Sequence, residues 1–84
     1  MNYSITICSS DSCRFCIKLK KWLDESGISY INKDVNDKDV LEEFNNYNVN
    51  AIPFTIIFDE NSRKEEKITG FNPEKIMNIL ENLI

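Results

Sequence analysis

The sequence has no histidine, two glycines, two prolines and only three cysteines in 84 residues. The missing histidine removes the side chain that most often serves proteins as a general base or metal ligand. No apolar run approaches the roughly 20 residues that a membrane-spanning helix needs. Residues 1–4 also lack the charged and then apolar pattern of a signal peptide. Since an odd number of cysteines does not fit a fully paired secreted framework, we expect a soluble, cytoplasmic protein without a membrane segment.

The charge balance is acidic, with 14 Asp and Glu residues against 10 Lys and Arg residues and a formal net charge of −4. An acidic domain is repelled by phosphate backbones, so nucleic-acid binding is not expected. The length fits one domain over residues 1–84, and the 42% hydrophobic content is that of a folded chain. We expect this domain to act as a monomer.

The hydrophobic pattern predicts the element order β-α-β-α-β-β-α. Strands are predicted over residues 3–8, 28–35, 54–58 and 64–69. The first helix is predicted over residues 13–26, the second is capped by Asn36 and ends in residues 45–48, and the third is capped by Asn72 with Pro73 at its first position. The first βαβ unit needs a parallel strand pair, and the later hairpin adds antiparallel strands. The predicted fold is therefore an α/β domain with a four-stranded mixed sheet and helices on both faces.

The first helix carries an apolar stripe that should face the sheet. The stripe consists of four residues at helical spacing, namely Phe15, Leu19, Trp22 and Leu23. Cys16 lies beside this stripe. Gly27 is the residue expected to end the helix.

The motif Cys13-Arg14-Phe15-Cys16 lies where a polar loop, residues 9–12, meets this helix. A thiol in the first helical turn lies near unpaired backbone N–H groups and the positive end of the helix dipole, which favour the thiolate. We therefore expect the pKa of the Cys13 thiol to lie below its free value of about 8.5. Residues three apart lie nearly one turn apart, so the two sulfurs can approach each other. Cys13 is predicted to be the exposed attacking thiol and Cys16 the resolving thiol.

Cys8 leaves a second interpretation open. With Cys13 and Cys16 it gives the spacing C-x4-C-x2-C, the first part of a ferredoxin cluster pattern. Such a cluster and a structural zinc site both need a fourth ligand, and the chain has neither a fourth cysteine nor a histidine. We expect no metal site within one chain and a buried Cys8 at the inner end of the first strand. An iron–sulfur or other metal carrier that bridges two chains is the alternative.

Together these features resemble the thioredoxin fold and, within it, the glutaredoxin family. The resemblance rests on the first strand leading into Cys13-x-x-Cys16, on Val49-Asn50-Ala51-Ile52-Pro53 and on Gly70-Phe71. It implies a thiol–disulfide oxidoreductase that acts on protein disulfides and has no bound cofactor, only the redox-active Cys13–Cys16 disulfide. It implies a cis peptide bond before Pro53, beside the cysteines, and an Ile52 backbone that pairs with an extended substrate. The residues implied to contact substrate are Arg14, Phe15, Ile52, Pro53, Gly70 and Phe71.

The start of the last helix departs from most glutaredoxins, which often have two glycines there to hold glutathione. This chain has Gly70-Phe71-Asn72-Pro73-Glu74. Phe71 would crowd the place of the second glycine, and Pro73 removes a backbone N–H that an anion would use. The segment is more similar to NrdH-type redoxins, which take electrons from thioredoxin reductase and deliver them to ribonucleotide reductase. The resemblance thus implies these two enzymes as partners, with glutathione as the alternative reductant.

Overall fold

The structure, a computed structural model, describes residues 2–83. Its elements follow the predicted order β-α-β-α-β-β-α. The strands are β1 (Tyr3–Ser9), β2 (Ile31–Asp34), β3 (Phe54–Asp59) and β4 (Lys64–Thr69), and the helices are α1 (Arg14–Glu25), α2 (Lys38–Asn45) and α3 (Pro73–Leu83). None of these helices has the length and apolar character needed to cross a lipid bilayer.

The four strands form one mixed sheet in the order β2-β1-β3-β4. β1 runs parallel to β2, with Ser9 opposite Asp34. β3 runs antiparallel to both of its neighbours, with Phe54 opposite Cys8 on one side and Thr69 on the other. β1 and β4 therefore end, and β3 begins, at the same end of the sheet. We call this the Ser9 end.

Successive side chains along each strand point to opposite faces of the sheet, so the core is divided between these two faces. Ile7 and its neighbours on one face pack against α1 and α3 in a cluster of buried residues, namely Ile5, Ile7, Leu19, Leu23, Ile57, Ile68, Ile76 and Leu80. Cys8 points to the other face and packs with Phe44 of α2 and with Phe54 and Ile56 of β3. Helices thus cover both faces, which confirms the predicted architecture.

The predicted glycine, Gly27, terminates α1 from just beyond its C-cap, Ser26. The Gly27 N–H donates to the Asp24 carbonyl at 3.2 Å, and the Ile28 N–H donates to the Leu23 carbonyl at 2.9 Å. These two bonds satisfy the last carbonyls of the helix and require a left-handed residue at position 27. Gly27 supplies this conformation, with φ +70°.

Three predicted element starts were wrong, and the ends of β1, α1, β2 and β3 each differ from the prediction by one residue. Cys13 is the N-cap of α1, one residue before the helix proper, and Asp37 caps α2 in place of Asn36 by accepting the Asp39 N–H at 2.9 Å. β2 begins at Ile31, where its parallel pairing with Thr6 of β1 begins, and not at residue 28. The cap of α3 is as predicted, because Asn72 Oδ1 accepts the Lys75 N–H at 3.2 Å.

Candidate active site

The loop before α1 is tied down by Ser10. The Ser10 carbonyl accepts the Cys13 N–H at 3.1 Å. The Ser10 hydroxyl accepts the Ser12 N–H at 3.3 Å and the side-chain N–H of Asn36 at 3.2 Å. These bonds join the loop to the connection between β2 and α2 and thereby fix the start of α1. The sequence showed that the loop was rich in capping residues, but Asn36 is 26 residues away and no local pattern indicated its contact.

Cys13 and Cys16 form a disulfide, with their Cα atoms 5.2 Å apart. Cys13 has an extended backbone at the helix start, and its Sγ accepts the backbone N–H of Cys16 at 3.1 Å. Its carbonyl accepts the Ile17 N–H at 3.1 Å, the first bond of the helix. Cys13 is partly exposed, whereas Cys16 is fully buried on the inner side of α1. The predicted pairing of the cysteines and their relative exposure are confirmed.

The surroundings of the Cys13 sulfur suit a negative charge. The Cys16 N–H already points at the sulfur, and such a donor stabilises a thiolate more than a thiol. The first turn of α1 contains no acidic residue. Cys13 thus combines a backbone donor at its sulfur with partial exposure, whereas Cys16 has no exposed surface.

The Ile52–Pro53 segment approaches the cysteines from the beginning of β3. The Ile52–Pro53 peptide bond is cis, as the family resemblance implied. The Ile52 carbonyl oxygen lies 3.8 Å from Cys13 Sγ. The Pro53 carbonyl accepts the Gly70 N–H at 2.8 Å, which brings the loop after β4 to the same place. Gly70 has φ +88°, and no heavy atom lies within 4 Å of where a Cβ would stand, so the backbone conformation and not crowding favours glycine there.

Phe15 does not pack on the core, which corrects its predicted place in the buried stripe of α1. Its side chain is 54% exposed and stacks on Phe71, with the ring centroids 6.2 Å apart. The Lys18 Nζ lies 5.5 Å from the centre of the Phe15 ring. The sequence reasoning missed this role of Lys18, although its i+3 spacing from Phe15 was a usable signal.

The structure brings most of the candidate residues together at the Ser9 end of the sheet. Contacts connect Cys13 to Cys16 and Ile52, and Pro53 to Gly70, while Phe15 reaches Phe71, the residue after Gly70. Arg14 is exposed and forms no ion pair within residues 2–83. The arrangement places the partly exposed Cys13 beside a half-buried Ile52, a buried Pro53 and a pair of aromatic rings.

Cys8 belongs to the other face of the sheet. It is 4% exposed, as predicted, and burial raises the pKa of its thiol. Cys16 is part of α1, which covers one face of the sheet, whereas Cys8 packs with α2 on the opposite face, so the three sulfurs do not form one site. In the described part of the chain, no group of three Cys, Asp or Glu side chains is arranged to hold a metal ion.

Several solved structures have a similar fold. A thioredoxin pre-protein from Schistosoma mansoni gives a TM-score of 0.78 at 16% identity, covering 99% of this chain and 80% of that one. Thioredoxin F from spinach chloroplast gives 0.78 at 13% identity, covering 98% and 76%. A mutant of a thioredoxin-like protein gives 0.73 at 21% identity, covering 93% and 95%. At these identities the likeness establishes the thioredoxin fold.

The sequence profile of the glutaredoxin family matches residues 5–62. No curated protein sequence matches the chain significantly. The profile match contains Cys13, Cys16 and Pro53 and stops before Gly70 and Phe71. With the Cys13–Cys16 disulfide, it supports a thiol–disulfide oxidoreductase. Because the match spans more than half of the sequence and includes both active-site cysteines, the chain belongs to the glutaredoxin family.

Proposed function

We propose that this protein is a dithiol electron carrier that reduces protein disulfides through Cys13 and Cys16. The observation that carries the proposal is the environment of the Cys13 sulfur. Cys13 is partly exposed, and its sulfur accepts the Cys16 N–H at 3.1 Å and is bonded to the sulfur of the fully buried Cys16. An accessible, stabilised thiolate with a protected resolving thiol is what disulfide exchange requires.

The reaction passes two electrons from the protein to its target. In the reduced protein, the Cys13 thiolate attacks one sulfur of the target disulfide, forms a mixed disulfide and releases the other target sulfur as a thiolate. Cys16 then loses its proton and attacks Cys13 Sγ, which releases the second target sulfur and forms the Cys13–Cys16 disulfide. The extended backbone of the target would pair with the Ile52 N–H, a proposal supported by the position of Ile52 next to Cys13 and by the absence of a hydrogen-bond partner for this N–H within residues 2–83.

Thioredoxin reductase is the reductant we propose. Glutathione binding would need an anion site at the start of α3, and three features weaken such a site here. Asn72 Oδ1 already accepts the Lys75 N–H, Pro73 has no N–H, and Glu74 places a negative charge in the first turn. Phe71, stacked on Phe15, would also crowd the place where most glutaredoxins have the second glycine.

Glutathione is the second candidate reductant, and membership of the glutaredoxin family favours it. The rate of NADPH consumption, with insulin as the disulfide substrate, distinguishes the two candidate reductants. One reaction contains thioredoxin reductase, and the other contains glutathione with glutathione reductase. We expect fast turnover with thioredoxin reductase, and turnover only in the glutathione reaction would reverse the assignment.

Variants of the cysteines test the proposed roles in the same assay. Cys13→Ser should abolish turnover with either reductant, because no nucleophile remains at the helix start. Cys8→Ala is the matched control, since Cys8 lies on the other face of the sheet and should leave turnover unchanged. Equal turnover by Cys13→Ser and the wild type would end the proposal.

We further propose that the protein works in the cytoplasm and that ribonucleotide reductase is one of its targets. This part is supported by the similarity of residues 70–74 to NrdH-type redoxins and by an odd number of cysteines, which suits a reducing compartment. Oxidised ribonucleotide reductase from the same organism should regain activity when the reduced protein is added. Failure to reactivate it would remove this target and leave the coupling to thioredoxin reductase intact.

A further inference from the structure

The outer side of α1 is basic in an otherwise acidic chain. Four of the ten Lys and Arg residues lie between positions 14 and 21, a stretch without Asp or Glu. Three of them, Arg14, Lys18 and Lys21, have the spacing i, i+4, i+7 and therefore share one side of the helix. All three are exposed, and none forms an ion pair among the residues that the structure covers. We call these three residues the basic face.

An aromatic pair continues the basic face toward the reactive sulfur. Phe15 is 54% and Phe71 39% exposed, although the two rings stack on each other. The Lys18 Nζ lies 5.5 Å from the centre of the Phe15 ring, so charge and apolar surface are in direct contact. Large exposed apolar side chains grouped beside charges are typical of a protein-binding surface. This one lies beside Cys13, the exposed cysteine of the disulfide.

We propose that the basic face and the Phe15–Phe71 pair form a docking surface for an acidic protein segment that carries the disulfide attacked by Cys13. An apolar side chain of this segment would rest on the two rings, and its carboxylates would meet Arg14, Lys18 and Lys21. The inference rests on the proposed function and names the kind of target. The basic face is about 10 Å long, because seven residues of helix rise that far. It therefore suits several acidic residues of a chain and not a single carboxylate.

The charge distribution also gives the docking a direction. Outside residues 14–21 the chain has 14 acidic residues and only six basic ones, so an acidic target is repelled there and attracted at the basic face. Such complementarity acts mainly on the rate of association and is screened by salt. The signature to look for is thus a rate advantage that salt removes.

Two synthetic disulfide peptides test the proposal. They share one disulfide ring and one leucine and differ in flanking residues, which are Asp and Glu in one peptide and Lys and Arg in the other. The oxidation of the reduced protein by each peptide is followed by acid quench and mass spectrometry. Each rate is divided by the rate at which dithiothreitol reduces the same peptide. At low salt, we expect the acidic peptide to react about tenfold faster than the basic peptide. In 1 M salt, the rates of the two peptides should differ by no more than about twofold.

A matched pair of charge reversals locates the effect. Lys18→Glu and Lys38→Glu change the net charge equally, but Lys38 is on α2, across the sheet. Lys18→Glu should slow the acidic peptide about fivefold and accelerate the basic peptide, whereas Lys38→Glu should change either rate less than twofold. A third peptide is the acidic peptide with serine in place of its leucine. The wild type should react faster with the leucine peptide than with this serine peptide, and Phe71→Ser should reduce that difference in rate.

Three results would each overturn the docking surface. The first is that the wild type reacts with the two peptides at equal rates, and the second is that the two charge reversals have equal effects. The third is that glutathione disulfide reacts as fast as the acidic peptide and is slowed equally by Lys18→Glu. The uncharged hydroxyethyl disulfide keeps the two proposals separate. If the wild type reduces it, the proposed function stands whatever the peptides show. If the wild type reduces neither this compound nor any peptide, the proposed function itself fails.

Discussion

Replacing Thr55 by valine should stabilise the protein. Thr55 lies in β3, opposite Ile7, and is fully buried. Its Oγ1 is a buried side-chain oxygen without a hydrogen-bond partner within residues 2–83. In the unfolded chain the same hydroxyl is hydrated, so folding loses its hydrogen bonds to water and gains none in return.

The expected gain follows from this imbalance. A buried polar group without a partner costs about 1–3 kcal/mol. Valine has the shape of threonine with a methyl group in place of the hydroxyl, so Thr55→Val removes the cost without opening a cavity. We expect the free energy of unfolding to rise by at least about 1 kcal/mol. For a chain of this length, each kcal/mol raises Tm by about 4–8 °C.

Urea unfolding of the oxidised protein, monitored by circular dichroism, measures the change without altering the redox state. Thr6→Val is the matched control, because Thr6 lies in the neighbouring strand β1 but is partly exposed, and its stability should change by less than about 0.5 kcal/mol. Thr55→Ser keeps the hydroxyl and loses a methyl group, so it should lower stability by about 1 kcal/mol. If Thr55→Val proved no more stable than the wild type, the hydroxyl would have a partner in solution and the reasoning would be refuted.

Three further predictions concern other parts of the molecule. Gly27→Ala should lower the free energy of unfolding by about 1 kcal/mol in a thermal melt, since the added Cβ meets no atom and only the backbone at φ +70° resists it. Hydrogen bonds from the Ser62 hydroxyl and the Asn61 N–H lower the pKa of Asp59 from 3.8. That stabilisation is present above pH 3.8 and lost as the pH falls through the lower folded value. Because Asp59→Asn cannot ionise, urea unfolding over a range of pH should find it less stable than the wild type at neutral pH and nearly equal to it at the acid end, which flattens the acid limb of the stability curve. In the reduced protein at pH 8, iodoacetamide should modify Cys13 rapidly and Cys8 only after unfolding. The reason is that Cys8 is buried and that burial raises the pKa of its thiol from 9.0. Peptide mass spectrometry measures the modification, and rapid modification of Cys8 in the folded protein would contradict the prediction.

Periodicity predicted the inner side of α1 well and its first turn poorly. Cys16, Leu19 and Leu23 are buried because the sheet lies beneath them. Phe15 lies at the margin of this stripe and in the first turn, and it is covered from a different direction by Phe71. That partner is 56 residues away in the sequence, and a helical pattern carries no information about it. The exposed aromatic pair could therefore be found only in three dimensions.

Competition between neighbouring polar residues explains the wrong cap of α2. Asn36 and Asp37 are both good capping residues, and local propensity does not choose between them. The choice is made by Ser10, whose hydroxyl takes the Asn36 side chain as a donor and leaves Asp37 to accept the Asp39 N–H. The cap position is thus set by a contact between two loops and not by the helix itself.

Strand direction decides which chain segments meet at the site, and the family resemblance, not the element order, predicted that Pro53 lies beside the cysteines. β1 runs toward Cys13, antiparallel β3 begins just after Pro53, and β4 runs parallel to β1 toward Gly70. The element order leaves the direction of β3 relative to β1 open, and the antiparallel pairing of these two strands in the structure brings the three segments to one end of the sheet. Successive side chains along β1 point to opposite faces of the sheet, so Cys8 lies on the face opposite to Ile7. Strand geometry therefore excludes a metal site that uses all three sulfurs of one chain, as the number of ligands already did. Cys13 and Cys16 are left as the pair in contact, one sulfur at the surface and the other beneath it.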